Sequence, residues 1–346
     1  MKHITKALDT FSVDYWYFDD PIYLRYLTGL SVSKGMILWG KKQGFWVDGR
    51  YFSHVEKYSP IQTYLLTQEG FFSFLPNKKI RVGFDPSKMD VKSLEEKKKK
   101  YPKIDWIAAE KAFSSFRLIK TDKEIKKMQE AAKISYAGYL HLLQKIKTGV
   151  SEKELAWEYE KFCRENGAEK LAFDPIVAFG ENSAIPHWKS SSKKLKKNEI
   201  VLLDLGIVFE GYCSDFTRTH FYGKISSEIQ KLYQLVNQAK ILAASKAKPG
   251  QKVRELEKKV RKVFSENKVE NLFVHSLGHG IGLEVHEPLT VSQKNKNGIL
   301  EKNMLITIEP GLYLEGAGGI RLEDTYLITS TGAKSLYPKI LAPELL

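Results

Sequence analysis

The chain has 346 residues, 42% of them hydrophobic and 12% aromatic, an ordinary globular composition that excludes disorder and suffices for one large domain or two average ones. No apolar run approaches membrane-spanning length, the first residues lack the charged-then-apolar layout of a signal peptide, and two cysteines make no disulfide framework, so a cytoplasmic protein without a membrane partner is expected. The formal charge of +14 raises nucleic-acid binding, but only nine of the 55 basic residues are arginine, the residue that base readout favours, and no recognition motif accompanies the lysine clusters. Specific nucleic-acid binding is set aside.

Residues 1–115 alternate strands and helices. Tyr26-Leu27-Thr28-Gly29 closes an early element, and 35–39 and 44–48 flank Gly40-Lys41-Lys42-Gln43 as a hairpin. Residues 80–84 and 104–108 read as further strands, with a lysine-rich helix over 87–101 between them. No cluster of His, Asp or Glu falls in an apolar setting here, so this α/β domain is expected to shape a site rather than perform chemistry. A different regime fills 116–346. Thr121-Asp122-Lys123-Glu124 and Ser151-Glu152-Lys153-Glu154 are capping boxes, predicting helices that run to about Lys147 and to Gly167. Two more helices, over about 226–247 and 251–267, are joined by Lys248-Pro249-Gly250. Strands lie between and after these pairs, which predicts an α+β domain with an antiparallel sheet backed by four helices.

Asp204 lies at the end of the apolar run Ile200-Val201-Leu202-Leu203, and a buried carboxylate must be protonated, paired or bound to metal. Asp215 follows, with the turn signal Phe209-Glu210-Gly211 between them. A two-residue turn at Phe209-Glu210 or at Glu210-Gly211 sets Asp204 opposite Asp215 or opposite Thr217, and all three share one face in either register. Facing carboxylates in an apolar sheet repel unless a cation sits between them.

Three further patches combine titratable residues with glycine. In His275-Ser-Leu-Gly-His279-Gly-Ile-Gly-Leu-Glu-Val-His286 the His-x-x-x-His spacing suits a helical zinc pair, but Gly278, Gly280 and Gly282 argue against a helix and suggest close backbone approach to a ligand. Glu309 ends the apolar run 304–308. Arg321 and Glu323 lie two apart, which would let the guanidinium steady that carboxylate, and the turn over 315–319 can return Glu323 to the side of Glu309. Four carboxylates and one imidazole are mostly hard ligands, suited to two divalent ions of the Mn2+ type, with Co2+ or Zn2+ as alternatives. Such a pair generates a nucleophile near neutral pH and polarises a carbonyl, which makes a hydrolase centre. No Gly-x-Ser-x-Gly elbow offers a serine route.

With these residues assembled, nearly the whole chain resembles the pita-bread metallopeptidases: Xaa-Pro aminopeptidase (aminopeptidase P), Xaa-Pro dipeptidase (prolidase) and, more distantly, methionine aminopeptidase. Arg25-Tyr-Leu-Thr-Gly29 and Val47-Asp-Gly-Arg-Tyr51 are similar to the creatinase-type N-terminal domain of the proline-specific branch, and Arg117-Leu-Ile-Lys120 to its linker. The resemblance implies Asp204 on the first metal, His279 and Glu309 on the second, and Asp215 and Glu323 bridging. It implies that His187, in the segment 173–187, steers a proton to the leaving nitrogen, that His286 binds the substrate carbonyl and its oxyanion, and that Glu309 doubles as general base. His275 and Arg321 fit supporting positions around the metals. A homodimer is also implied. Prolidases often carry an arginine where this chain has Thr290, to grip the dipeptide's free carboxylate. The expectation is therefore an Xaa-Pro aminopeptidase acting on proline-containing peptides, with prolidase as the alternative and a non-catalytic pita-bread binding protein as the remaining one. The lysines of 189–197 read as a solvated loop.

Overall fold

The computed structural model describes residues 1–67, 70–71, 74–338 and 343–345. It divides into two units, Met1–Arg117 and Leu118–Leu346.

In the first unit the elements run α1 (Lys2–Phe11), β1 (Tyr15–Phe18), α2 (Pro21–Thr28), β2 (Gly35–Gly40), β3 (Gln43–Val47), α3 (Phe52–Tyr58), β4 (Thr63–Leu65), β5 (Ile80–Phe84), α4 (Val91–Lys100), β6 (Ile104–Ala108) and α5 (Glu110–Phe116). They form one mixed sheet in the order β4-β3-β2-β1-β5-β6. Alternation along central β1 shows why it holds. Trp16 and Phe18 pack with Tyr23, Phe113 and Phe116 on one face, while Tyr15 and Tyr17 pack with Trp46, Phe71 and Trp106 on the other. The expected hairpin forms, Leu38 standing across from Gly44, and Gly29 closes α2 in the left-handed conformation that glycine tolerates.

In the second unit follow α6 (Asp122–Leu143), α7 (Glu152–Glu165), β7 (Lys170–Leu171), β8 (Ile176–Phe179), β9 (Glu199–Leu205), β10 (Ile207–Phe209), β11 (Tyr212–Cys213), β12 (Phe216–Tyr222), α8 (Ser227–Lys246) and α9 (Val253–Glu266). The remainder is β13 (Gly278–Gly280), β14 (Glu287–Val291), β15 (Leu305–Ile308), β16 (Gly311–Leu314), β17 (Gly318–Arg321), β18 (Asp324–Ile328), β19 (Ala333–Ser335) and β20 (Glu344–Leu345). Both capping boxes close: Glu124 and Glu154 each accept from the preceding cap's backbone N–H at 2.7 Å. The first helix stops at Leu143 rather than near 147, because Gln144 and Lys145 donate to carbonyls only three residues back and tighten the last turn.

The strands do not make one continuous sheet. The larger ladders are β20-β12-β9-β8 and β14-β13-β15-β18-β19. Two residues break the strands. A Cβ on Gly206 would lie 2.5 Å from Phe173 and from the Ser214 carbonyl, so glycine there lets the chain bend between β9 and β10. Pro310 has no N–H to give and separates β15 from β16. Helices α6 and α7 bury Ala131, Leu142, Leu155 and Tyr159 against Val177, Val201, Leu203 and Phe216. Helices α8 and α9 bury Val236, Ala239, Val260 and Phe264 with Val291, Ile306, Ile308 and Ile320. The two helix pairs thus have separate cores.

Candidate metal centre

Two hairpins supply the carboxylates. In the first, Phe209 pairs with Tyr212 around Glu210 and Gly211, whose φ values of 44° and 87° suit the type I′ turn that matches strand twist. That choice fixes Asp204 opposite Thr217, the second of the two registers, and leaves Asp215 on the same face two residues away. In the second, Ile308 pairs with Asp324 and Gly311 with Arg321, so Glu309 stands across from Glu323.

The imidazole comes from β13. A Cβ on Gly278 would approach the Thr307 carbonyl to 2.1 Å, and one on Gly282 would meet the Glu287 carboxylate at 2.5 Å. Glycine at 278 and 282 therefore admits a neighbouring strand and a buried acid. His279 consequently docks over β15, its backbone N–H donating to Thr307 Oγ1 at 3.1 Å. Its Nε2 lies 3.6 Å from Asp215 Oδ2 and 3.5 Å from Glu309 Oε1. One ligand atom each from Asp215, His279 and Glu323 falls within 4.8 Å of the others. Asp204 completes the group through its charge, which acts on Asp215, Glu309 and Glu323.

The Arg321 charge lowers the Glu323 carboxyl, as the sequence suggested, but its hydrogen bonds go to other groups. Its Nη2 donates to Asp204 Oδ2 at 2.5 Å, not to Glu323, while Nε reaches Thr217 Oγ1 and Nη1 reaches the Tyr313 hydroxyl at 2.8 Å. Glu323 instead accepts from Thr217 Oγ1 at 2.7 Å. Tyr313, which the sequence did not single out, links Arg321 to His275, whose Nε2 lies 2.8 Å from the same hydroxyl. His275 Nδ1 sits 3.9 Å from Glu309. The His286 and His279 rings are 4.3 Å apart. His187 is exposed, and its charge bears on both His275 and His286.

Burial pushes the carboxyls of Asp215 and Glu323 well above their ordinary range, and repulsion from Glu323 and Glu309 respectively adds to it. Burial raises Glu309 to about 8. It lowers His279 to about 3, with His286 adding to the effect, and His275 to about 4, with Arg321 adding. Both imidazoles are therefore neutral at physiological pH, the form that ligates metal. Asp204 Oδ1 is buried with no hydrogen-bond partner. An orphaned carboxylate oxygen, acids that repel one another and a neutral imidazole together fit hard divalent cations.

Other buried charges surround this group. Lys120 Nζ donates to Glu287 Oε2 at 2.9 Å, which ties the residue after His286 to the chain before α6. Arg218 donates to Asp324 Oδ1 at 2.7 Å, and buried Lys240 pairs with the same carboxylate. Period-two alternation could have placed Arg218 on the face away from Thr217, but nothing local named its partner.

A buried carboxylate cluster around one imidazole, carried on paired hairpins, belongs to the metal-dependent hydrolases. The chain is a member of metallopeptidase family M24, whose model matches residues 126–330, and a creatinase/prolidase N-terminal domain matches residues 1–119. It is 33% identical over 342 residues to the Xaa-Pro dipeptidase of Pyrococcus furiosus, covering 97% of each chain. The crystal structure of the prolidase from Pyrococcus horikoshii OT3 is similar with a TM-score of 0.91 at 35% identity, over 97% of this chain and 96% of that one. The X-Pro aminopeptidase of Thermotoga maritima MSB8 gives 0.88 at 29% identity, over 98% of each. The pita-bread architecture and its creatinase-type partner domain are thereby established. No helix among the described residues is long and apolar enough to cross a membrane.

Proposed function

We propose that this metallopeptidase is an Xaa-Pro dipeptidase, cleaving a dipeptide ahead of its proline. End-to-end likeness to the Pyrococcus furiosus dipeptidase, 97% of both chains, carries the reading. It reverses the order suggested by the sequence, where Thr290 favoured an aminopeptidase. Residues 116–346 would perform the chemistry and residues 1–115 would form a separate creatinase-type domain, in a cytoplasmic homodimer.

In this reading Asp204, Asp215, His279, Glu309 and Glu323 would hold a pair of divalent ions, Asp204 on one, His279 and Glu309 on the other, and Asp215 and Glu323 shared. The bound pair, of the Mn2+ type, supplies Lewis acidity and a nucleophile at neutral pH. Glu309 can take the proton that the attacking water loses. His286 donates to the carbonyl oxygen as negative charge develops there. The C–O bond forms, the C–N bond breaks, and His187 delivers the proton that proline's departing nitrogen needs. Arg321 holds Asp204 through Nη2 and, with His275, fixes the Tyr313 hydroxyl, so the carboxylates keep their spacing.

One observation keeps the aminopeptidase reading in play. Thr290 stands directly across from His279 on β14, exposed and on the same face. Threonine offers no cation to a dipeptide's free carboxylate, and a longer peptide has no carboxylate at that point. The test compares Gly-Pro with Ala-Pro-Ala on protein reloaded with Mn2+, Co2+ or Zn2+. Cleavage of Gly-Pro alone supports the dipeptidase. Cleavage of Ala-Pro-Ala alone makes the chain an aminopeptidase.

A further inference from the structure

Glu152 is the first residue of α7 and is fully buried, with 0% exposure. A buried acid is ordinarily matched by a cation, but this one is matched by hydrogen-bond donors from a single segment. Its Oε1 accepts from the Phe179 N–H and from Asn182 Nδ2, both at 2.8 Å. Its Oε2 accepts from Trp188 Nε1 at 2.9 Å, from the Ser191 N–H at 2.8 Å and from Ser191 Oγ at 2.7 Å. Burial pushes the carboxyl up, but the donors from Ser191, Trp188, Asn182 and Phe179 outweigh it and hold Glu152 below its ordinary value. The carboxylate is thus ionised and saturated.

The donors bracket a loop. Phe179 ends β8, and Ser191 lies beyond His187 and Trp188. The opposite side of the same loop is fastened to β17: Gly319 N–H donates to Ser183 Oγ at 2.8 Å, and Arg321 Nη1 donates to the Pro186 carbonyl at 3.3 Å. Residue 187 is therefore exposed on a loop with no free play at either end. Short loops held this way fix a side chain to the tolerance that proton transfer requires.

We propose that Glu152 is a positioning residue for His187, one buried carboxylate that gathers both ends of segment 179–191 and presents the histidine to the leaving nitrogen. This rests on the proton-delivery role given to His187 above. Glutamine is the informative substitution, because its amide nitrogen would turn a second set of hydrogens toward donors that need an acceptor.

The experiment uses the full chain loaded with metal, assayed on whichever of Gly-Pro and Ala-Pro-Ala the parent cleaves. Glu152→Gln, Trp188→Phe, His187→Ala and the double variant Glu152→Gln/His187→Ala are compared for kcat, KM and bound metal. Glu152→Gln should lower kcat by about tenfold to a hundredfold, with KM within about threefold and metal content equal to the parent's. Trp188→Phe, which removes one donor of five, should lower kcat by about threefold. In the His187→Ala background the glutamine should change kcat by less than about twofold, since the group it positions is gone. A Glu152→Gln enzyme with parental kcat, or a loss equally large in both backgrounds, overturns the proposal. Should Glu152→Gln not fold, parental kcat in both Trp188→Phe and Ser191→Ala overturns it equally. A fully active His187→Ala enzyme would instead overturn the role of His187, and this inference with it.

Discussion

The two units handle buried polarity in opposite ways. Among the described residues, Met1–Arg117 buries only Thr63 and Arg117 besides its apolar side chains, and the guanidinium of Arg117 lies 4.8 Å from the centre of the Tyr23 ring. Its sheet is held by aromatic contacts such as Trp16 on Phe113 and Phe116. In Leu118–Leu346 the interior holds Glu152, Asp204, Asp215, Glu257, Glu287, Glu323 and Asp324. A core built for stability alone would avoid them, since desolvating an acid is unfavourable and its pairing seldom returns more than the loss. The difference marks which unit carries the chemistry. It also separates buried acids that have a cationic or hydrogen-bonded partner from those left to repel one another.

The largest effect should follow from removing a proposed ligand in the repelling group. Asp215→Ala should lower kcat/KM by at least about a thousandfold, roughly 4 kcal/mol of transition-state stabilisation, and abolish full metal loading by elemental analysis. The same change deletes one of the mutually repelling acids, so after chelation the variant should melt no lower than the chelated parent. A variant that kept both its metals and its activity would break the contrast between the units.

Next come the paired acids. Lys120→Met leaves the Glu287 carboxylate buried without its cation and should destabilise the fold by about 3–5 kcal/mol in urea unfolding. The exposed Arg50–Asp48 pair of the first unit serves as control, where Arg50→Ala should leave the urea midpoint essentially unchanged. Equal losses at both sites would mean that burial does not set the value of these pairs.

Acidity sharpens the same contrast. A carboxyl raised in the folded state keeps its proton to higher pH than the unfolded chain does, so stability falls as pH rises between the two values. Glu309, raised to about 8, acts this way up to about pH 8, and Asp215 and Glu323 act in the same direction. The depressed imidazoles of His275 and His279 work the other way, adding stability with rising pH, but only until the unfolded histidines have titrated near about 6.5. Between about pH 6.5 and 8 the acids act alone, and Glu309 by itself should cost the chelated protein on the order of 2 kcal/mol. Adding Mn2+ should release protons and flatten the slope, which calorimetry in buffers of different ionisation enthalpy reads directly.

How much of this was legible depended on the range of the signal. Period-two alternation placed Asp204, Asp215 and Thr217 on one face, and the turn at 315–319 returned Glu323 to Glu309, because each involves neighbours in sequence. The hydrogen-bond partner of Arg321 was not legible for the opposite reason: Glu323, which its charge does steady, is two residues away, whereas Asp204 is 117 residues away and is brought in only by the sheet. Glu152 was not singled out beyond its place inside a capping box, since its donors lie 27 to 39 residues further on. Choosing dipeptides over longer peptides turned on the single position Thr290, which is too little pattern to weigh against the likeness of a whole chain.

The smallest effect tests what holds the register itself. Two two-residue turns were compatible with the sequence, and Glu210-Gly211 forms with both residues at positive φ. Gly211→Ala meets a left-handed conformation that costs an alanine about 1 kcal/mol, while the other turn would shift Asp204 from Thr217 to Asp215. Seven pairs between β9 and β12 oppose that shift, because a slide of two residues, though it keeps each side chain on its face, would part Leu203 and Leu205 from the β12 residues they stand against, Arg218 and Phe216. Gly211→Ala should therefore lower the melting temperature slightly and leave kcat/KM within about twofold. A collapse of activity with little loss of stability would mean that the turn, rather than the pairing of those leucines, keeps the carboxylates in register.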